Sequence, residues 1–111
     1  MVKININAFN DDQFLVNYLN FLTNKVFKIL PIFENEPNTL REYLESLLLE
    51  LAGTKSVVVK LKHDVNFLSL ISILQYISQN KCNHKTIKRE TFKCIGIINK
   101  LKNKYSYMKE E

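Results

Sequence analysis

Residues 38–53 read NTLREYLESLLLELAG, and the spacing inside this stretch decides the fold class. Leu40, Tyr43, Leu44, Leu47, Leu48 and Leu51 recur three and four residues apart, so one face of a helix is apolar. Arg41, Glu42, Glu45 and Glu50 fall away from that stripe. Asn38 stands where an N-cap would accept hydrogen bonds from the first turn, and Gly53 where a C′ residue would close the last. A stripe this broad must be covered by other elements, so the flanking sequence should supply more helices.

It does so on both sides. Upstream, Phe14, Tyr18, Leu22, Val26, Ile29 and Leu30 predict a helix from Asp11 to about Leu30, with Asn10, Asp11 and Asp12 favouring its start. Pro31 leaves the end of that helix open, and KVFKILPIF (25–33) also reads as a separate short helix or an extended piece. Downstream, the pattern predicts a helix from about Asp64 to Gln79. Eight of the eleven residues from Phe67 to Ile77 are apolar, and no charge falls between Val65 and Asn80. A helix this apolar should be buried on most sides, as the central strut, with Ser69 and Ser72 permitting close packing. The last helix should run from near Lys85 to about Lys104, capped by Asn83, with Ile87, Thr91, Cys94, Ile98 and Leu101 inward. VKINI (2–6) and KSVVVKLK (55–62) alternate or are β-branched, which leaves room for one short two-stranded ribbon. The expected fold is therefore all-α or mainly α: about four helices around a central apolar helix. Residues 1–111 form a single domain, with 105–111 as a flexible tail.

Bulk properties agree with a folded domain. In 111 residues, 46% are hydrophobic and 24% charged, which is not a disordered composition. No run approaches the roughly 18 apolar residues of a membrane span, and MVKININAFNDD (1–12) lacks the features of a signal peptide. The expected compartment is the cytoplasm, where Cys82 and Cys94 would stay free thiols, Cys94 on the apolar face. Fourteen Lys, 13 Asn and 11 Ile against two Arg and two Ala point to an AT-rich gene, hence a low-GC bacterium or its phage.

The net charge of +5 is unevenly placed. Residues 1–80 carry seven Lys/Arg and eight Asp/Glu, whereas residues 81–111 carry nine Lys/Arg and three Glu. All the excess positive charge thus sits at the C-terminal end, which makes an acidic partner worth seeking. On the last helix, Lys85, Arg89, Lys93, Lys100 and Lys104 fall within an arc of about 100°, opposite the apolar stripe. Gly96 projects into that arc and leaves backbone uncovered, with Phe92 at its edge. An interior helical Gly costs about 1 kcal/mol against Ala, so a close approach of a partner or of a neighbouring helix would account for it. Tyr105 and Tyr107 of the tail are candidate apolar anchors. The plainer account of the whole arc is a solvated polar face, which any amphipathic helix needs.

Other chemistries find little support. The spacing of Cys82, His84 and Cys94 matches no usual zinc pattern even with His63 added, so no metal is expected. No glycine-rich phosphate loop, G-x-S-x-G turn or H-E-x-x-H helix occurs. Glu42 and Glu45 share a polar helix face, and His63 and His84 have no recognisable nucleophile, so neither an enzyme nor a cofactor is expected. The cationic stripe is nearly all Lys and lacks the planar fork of Arg, and no helix-turn-helix spacing is seen, which disfavours sequence-specific DNA reading.

KVFKILPIFENE (25–36), YLESLLLELAG (43–53) and HKTIKRETFKCIGIINKL (84–101) together resemble segments of small uncharacterised proteins carried by phages and integrated elements of low-GC Gram-positive bacteria. The resemblance transfers no residue role. It implies a class, since many such proteins bind and inhibit or redirect a host machine such as a defence nuclease. The expected function is a non-enzymatic binding module acting on an acidic host protein or nucleoprotein complex. Two alternatives stand beside it. One is nucleic-acid binding with little sequence preference. The other is a homodimer in which the basic face meets the Glu42, Glu45 and Glu50 face of a second copy. No membrane partner is expected.

Overall fold

A computed structural model describes residues 12–109, with side chains from Gln13 to Ser106. Among the described residues six helices follow one another: α1 (Asp12–Phe27), α2 (Ile29–Asn35), α3 (Pro37–Val57), α4 (Val59–Lys62), α5 (Val65–Gln79) and α6 (His84–Lys109). No strand occurs among the described residues. α6 packs against α1, α2 and α5, α3 against α2 and α5, and the single turn of α4 links α3 to α5. α1 and α2 run antiparallel to α6, as the bonds from Lys102 to Asn20 and between His84 and Glu34 at its two ends show.

The first predicted stretch forms two helices, the second being the separate short helix that KVFKILPIF allows. Pro31 is the third residue of α2, has no N–H for the Phe27 carbonyl and crowds that oxygen, so the chain breaks at Lys28. Helical bonding resumes at once, with Ile32 N–H donating to Lys28 O at 3.1 Å. The inward stripe of α1 also shifts from the expected one. Leu15, Leu19, Leu22, Val26 and Ile29 are buried, whereas Phe14 is exposed and Tyr18 half-buried. Steps of four residues alone drift by about 40° each around a helix, while alternating steps of four and three hold one face. Phe14 and Tyr18 instead turn to the flank facing α3. There Tyr18 Oη donates to Glu50 Oε2 at 3.1 Å and meets Thr54 Oγ1 at 2.8 Å, and Lys25 pairs with Glu50.

α3 is longer than NTLREYLESLLLELAG at both ends. Pro37 occupies N1, where its missing N–H costs nothing, so the N-cap position falls on Glu36 and not Asn38. Gly53 lies inside the helix without positive φ, and the helix ends only at Val57. Its inward residues Leu40, Leu44, Leu47 and Leu51 are buried as the spacing required. KSVVVKLK forms the end of α3 and α4, not a ribbon strand. Val58, extended at the joint between the two helices, and Leu61 of α4 both reach the core there while Val57 and Val59 stay exposed. VKINI lies outside the described residues.

α5 begins and ends as expected. Asp64 caps it, its Oδ1 accepting the N–H of Asn66 at 2.9 Å and of Phe67 at 3.2 Å. Phe67, Leu70, Leu74 and Ile77 are buried, but Val65, Ser69, Ser72, Gln75 and Tyr76 are exposed. α5 is accordingly one wall of the bundle, and the two serines face outward instead of seating a neighbour. α6 starts one residue early, with Asn83 Oδ1 accepting from Thr86 N–H at 2.8 Å, and continues through the expected tail to Lys109. Ile87, Thr91, Cys94, Ile98 and Leu101 all point inward.

Candidate functional site

The outward face of α6 follows from the burial of the opposite one. Lys85, Arg89, Phe92, Lys93, Gly96, Lys100 and Lys104 are all exposed along a single side of the helix. Phe92 is 50% exposed, partway along the ridge and at its edge around the helix axis. A Cβ placed on Gly96 would have no neighbour within 4 Å among the described residues, so none of their elements takes advantage of the bare backbone. From Lys85 to Lys100 the ridge measures about 22 Å at 1.5 Å per residue.

Two carboxylates temper its charge. Glu90 is almost buried at the edge of the inward stripe, and its Oε2 accepts from Arg89 Nε at 2.9 Å and lies 3.8 Å from Lys93 Nζ. Asp64 is buried under the far end, where Lys104 Nζ donates to its Oδ2 at 2.9 Å. Lys85 and Lys100 have no ion pair among the described residues. Tyr76 from α5 adds a second exposed aromatic beside this face. The Glu90 carboxylate, by its hydrogen bond and charge, raises the Arg89 guanidinium pKa above its ordinary value, and Tyr76 and Cys82 lie near enough to add to the effect.

Tyr105 is not an anchor for a partner. It is 2% exposed, and its hydroxyl donates to Lys60 O and Asp64 Oδ2, each at 3.1 Å. The next turn of α6 carries the apolar stripe on to this position, at spacing four from Leu101, so the ring belongs to the core. The Tyr107 side chain lies outside the described residues. Glu50 is likewise withdrawn from the surface proposed for a second copy, since Lys25 and Tyr18 engage it, while Glu42 and Glu45 remain exposed.

Neither Glu90 nor Tyr76 was found from the sequence. Glu90 is three residues before Lys93 and next to Arg89, a spacing that brings opposite charges together on a helix. Tyr76 falls in the run from Phe67 to Ile77, which reads as buried on most sides. The imagined metal ligands do not converge: Cys94 is buried, His84 pairs with Glu34 at 2.8 Å, and no metal-holding group of His, Cys, Asp and Glu occurs among the described residues. Among the described residues no helix is long and apolar enough to cross a membrane.

Comparison with known proteins finds no matching family model, no matching curated protein and no matching solved structure.

Proposed function

We propose that this protein is a non-enzymatic binding module whose outward α6 face docks on an acidic surface of another protein. The observation that carries the reading is Phe92, half-exposed beside the open backbone of Gly96 and flanked by Lys85, Arg89, Lys93 and Lys100. Protein interfaces combine aromatic anchors with charged surroundings, and this ridge offers Phe92 along the edge of a cationic arc with Tyr76 near Arg89. The cations steer encounter, and the aromatic rings hold the complex once formed. Inhibition or redirection of a host machine from a phage or mobile element is the setting that the sequence resemblance implies.

The same geometry weighs against backbone-tracking nucleic-acid binding. A phosphate-binding stripe gains from uncompensated charge, whereas Glu90 and Asp64 offset two of the five cations here. The three charges left predict a slope of log K against log salt of only about −2.7 on duplex DNA. The test is affinity capture from a lysate of the protein's own organism, with and without nuclease, using wild type and Phe92→Ala. A protein retained after nuclease and lost with Phe92→Ala supports the proposal. A captured set that nuclease removes, or that Phe92→Ala leaves unchanged, refutes it.

A further inference from the structure

A second surface is unrelated to the α6 ridge. A cleft of about 590 Å³ opens where α2, α3, the end of α5 and the 80–83 link meet, a volume within the range of small-molecule sites. Phe33, Leu44, Ile77 and Ile87 line its floor, one from each of four helices. Arg41 of α3 and Lys81 of the link stand on its rim, both exposed and neither ion-paired among the described residues. No Asp or Glu lines it. Of the carboxylates nearby, Glu34 pairs with His84, and Glu45 lies outside the cleft, one helical turn beyond Arg41.

We propose that this cleft binds an aliphatic carboxylate of medium chain length. The alkyl tail covers the apolar floor, and the carboxylate is held between the Arg41 fork and the Lys81 ammonium. The guanidinium presents paired donors that match a carboxylate, and an apolar floor under two unpaired cations selects an amphiphilic anion over a neutral or cationic one of equal length. The proposal does not depend on the α6 face, so either can fail while the other stands.

Cys82 provides a reporter, because it lines the cleft and is half-buried, whereas Cys94 is enclosed in the core. The experiment titrates the protein with decanoate, 1-decanol and decyltrimethylammonium below their micelle concentrations. It follows backbone amide shifts and the rate at which a thiol reagent labels Cys82. The expected result is saturable decanoate binding with shifts at Phe33, Arg41, Ile77 and Ile87, slowed labelling of Cys82, and weaker binding of the other two probes. Arg41→Ala/Lys81→Ala, at exposed positions, should weaken decanoate about five- to tenfold, as losing two exposed ion pairs implies, and leave decanol unchanged. Shifts elsewhere, unprotected Cys82, equal binding of all three probes, or a double variant that binds decanoate like wild type would each overturn it.

Discussion

Asp64 is the residue on which the lower end of the bundle turns. Its carboxylate caps α5 through Asn66 and Phe67 and takes Lys104 and Tyr105 of α6 on its other oxygen. Burial alone would raise its pKa, but the Lys104 bond, the Phe67 N–H and the Tyr105 hydroxyl together hold it below the usual carboxylate range. The folded protein therefore gives up this proton more readily than the unfolded chain. The stability so gained is whole above about pH 4 and is lost as acid protonates the folded carboxyl. Asp64→Asn should cost about 1–2 kcal/mol at pH 7, with the gap to wild type narrowing as the pH falls below about 4 in urea melts. A gap independent of pH would mean that the charge contributes nothing. Thr91 presents the opposite case, a buried hydroxyl without a hydrogen-bond partner among the described residues. Thr91→Val keeps the shape and removes the unsatisfied group, so it should raise stability by about 1 kcal/mol, read as a higher melting temperature. Neither effect was visible in the sequence, where Thr91 counted only as an inward position and Asp64 only as a helix start.

At the scale of the elements, periodicity told most of the story and local chemistry corrected it. The inward faces of α3 and α6 were readable because Leu and Ile repeat there at unbroken helical spacing. The break at Lys28 and the start of α3 at Pro37 depend on what proline does to particular carbonyl and N–H groups, which apolar spacing does not record. The β-branched run at 57–59 misled for a different reason. Its own preference favours strand, and Val58 does keep an extended backbone, but helical turns close on either side of it and both Val58 and Leu61 reach the core. On α6, the outward cations were legible, while the neutralising Glu90 required knowing which edge of the stripe closes over. Gly96 gives a clean test of the helix itself. With nothing within 4 Å of an added Cβ, Gly96→Ala should stabilise the protein by about 1 kcal/mol in thermal melts. A loss of stability would mean that the backbone there is held by something other than helical bonding.

For the whole molecule, the charge asymmetry between residues 1–80 and 81–111 becomes a spatial one: α6 displays cations along the side that carries Phe92, with Tyr76 of α5 near Arg89. If that ridge is the docking surface, charge and apolar contact should separate kinetically. Lys85→Glu/Lys100→Glu should slow association by about tenfold or more and reverse its salt dependence, leaving dissociation little changed. Phe92→Ala should raise the dissociation rate by about 30-fold, the scale of an aromatic anchor, at nearly constant association rate. The most direct measurement is therefore capture from lysate by wild type and by Phe92→Ala after nuclease treatment, with both proteins shown to be equally folded. The account predicts a specific protein partner present with the first and missing with the second. Identical captures, or a partner that disappears with the nucleic acid, would contradict it.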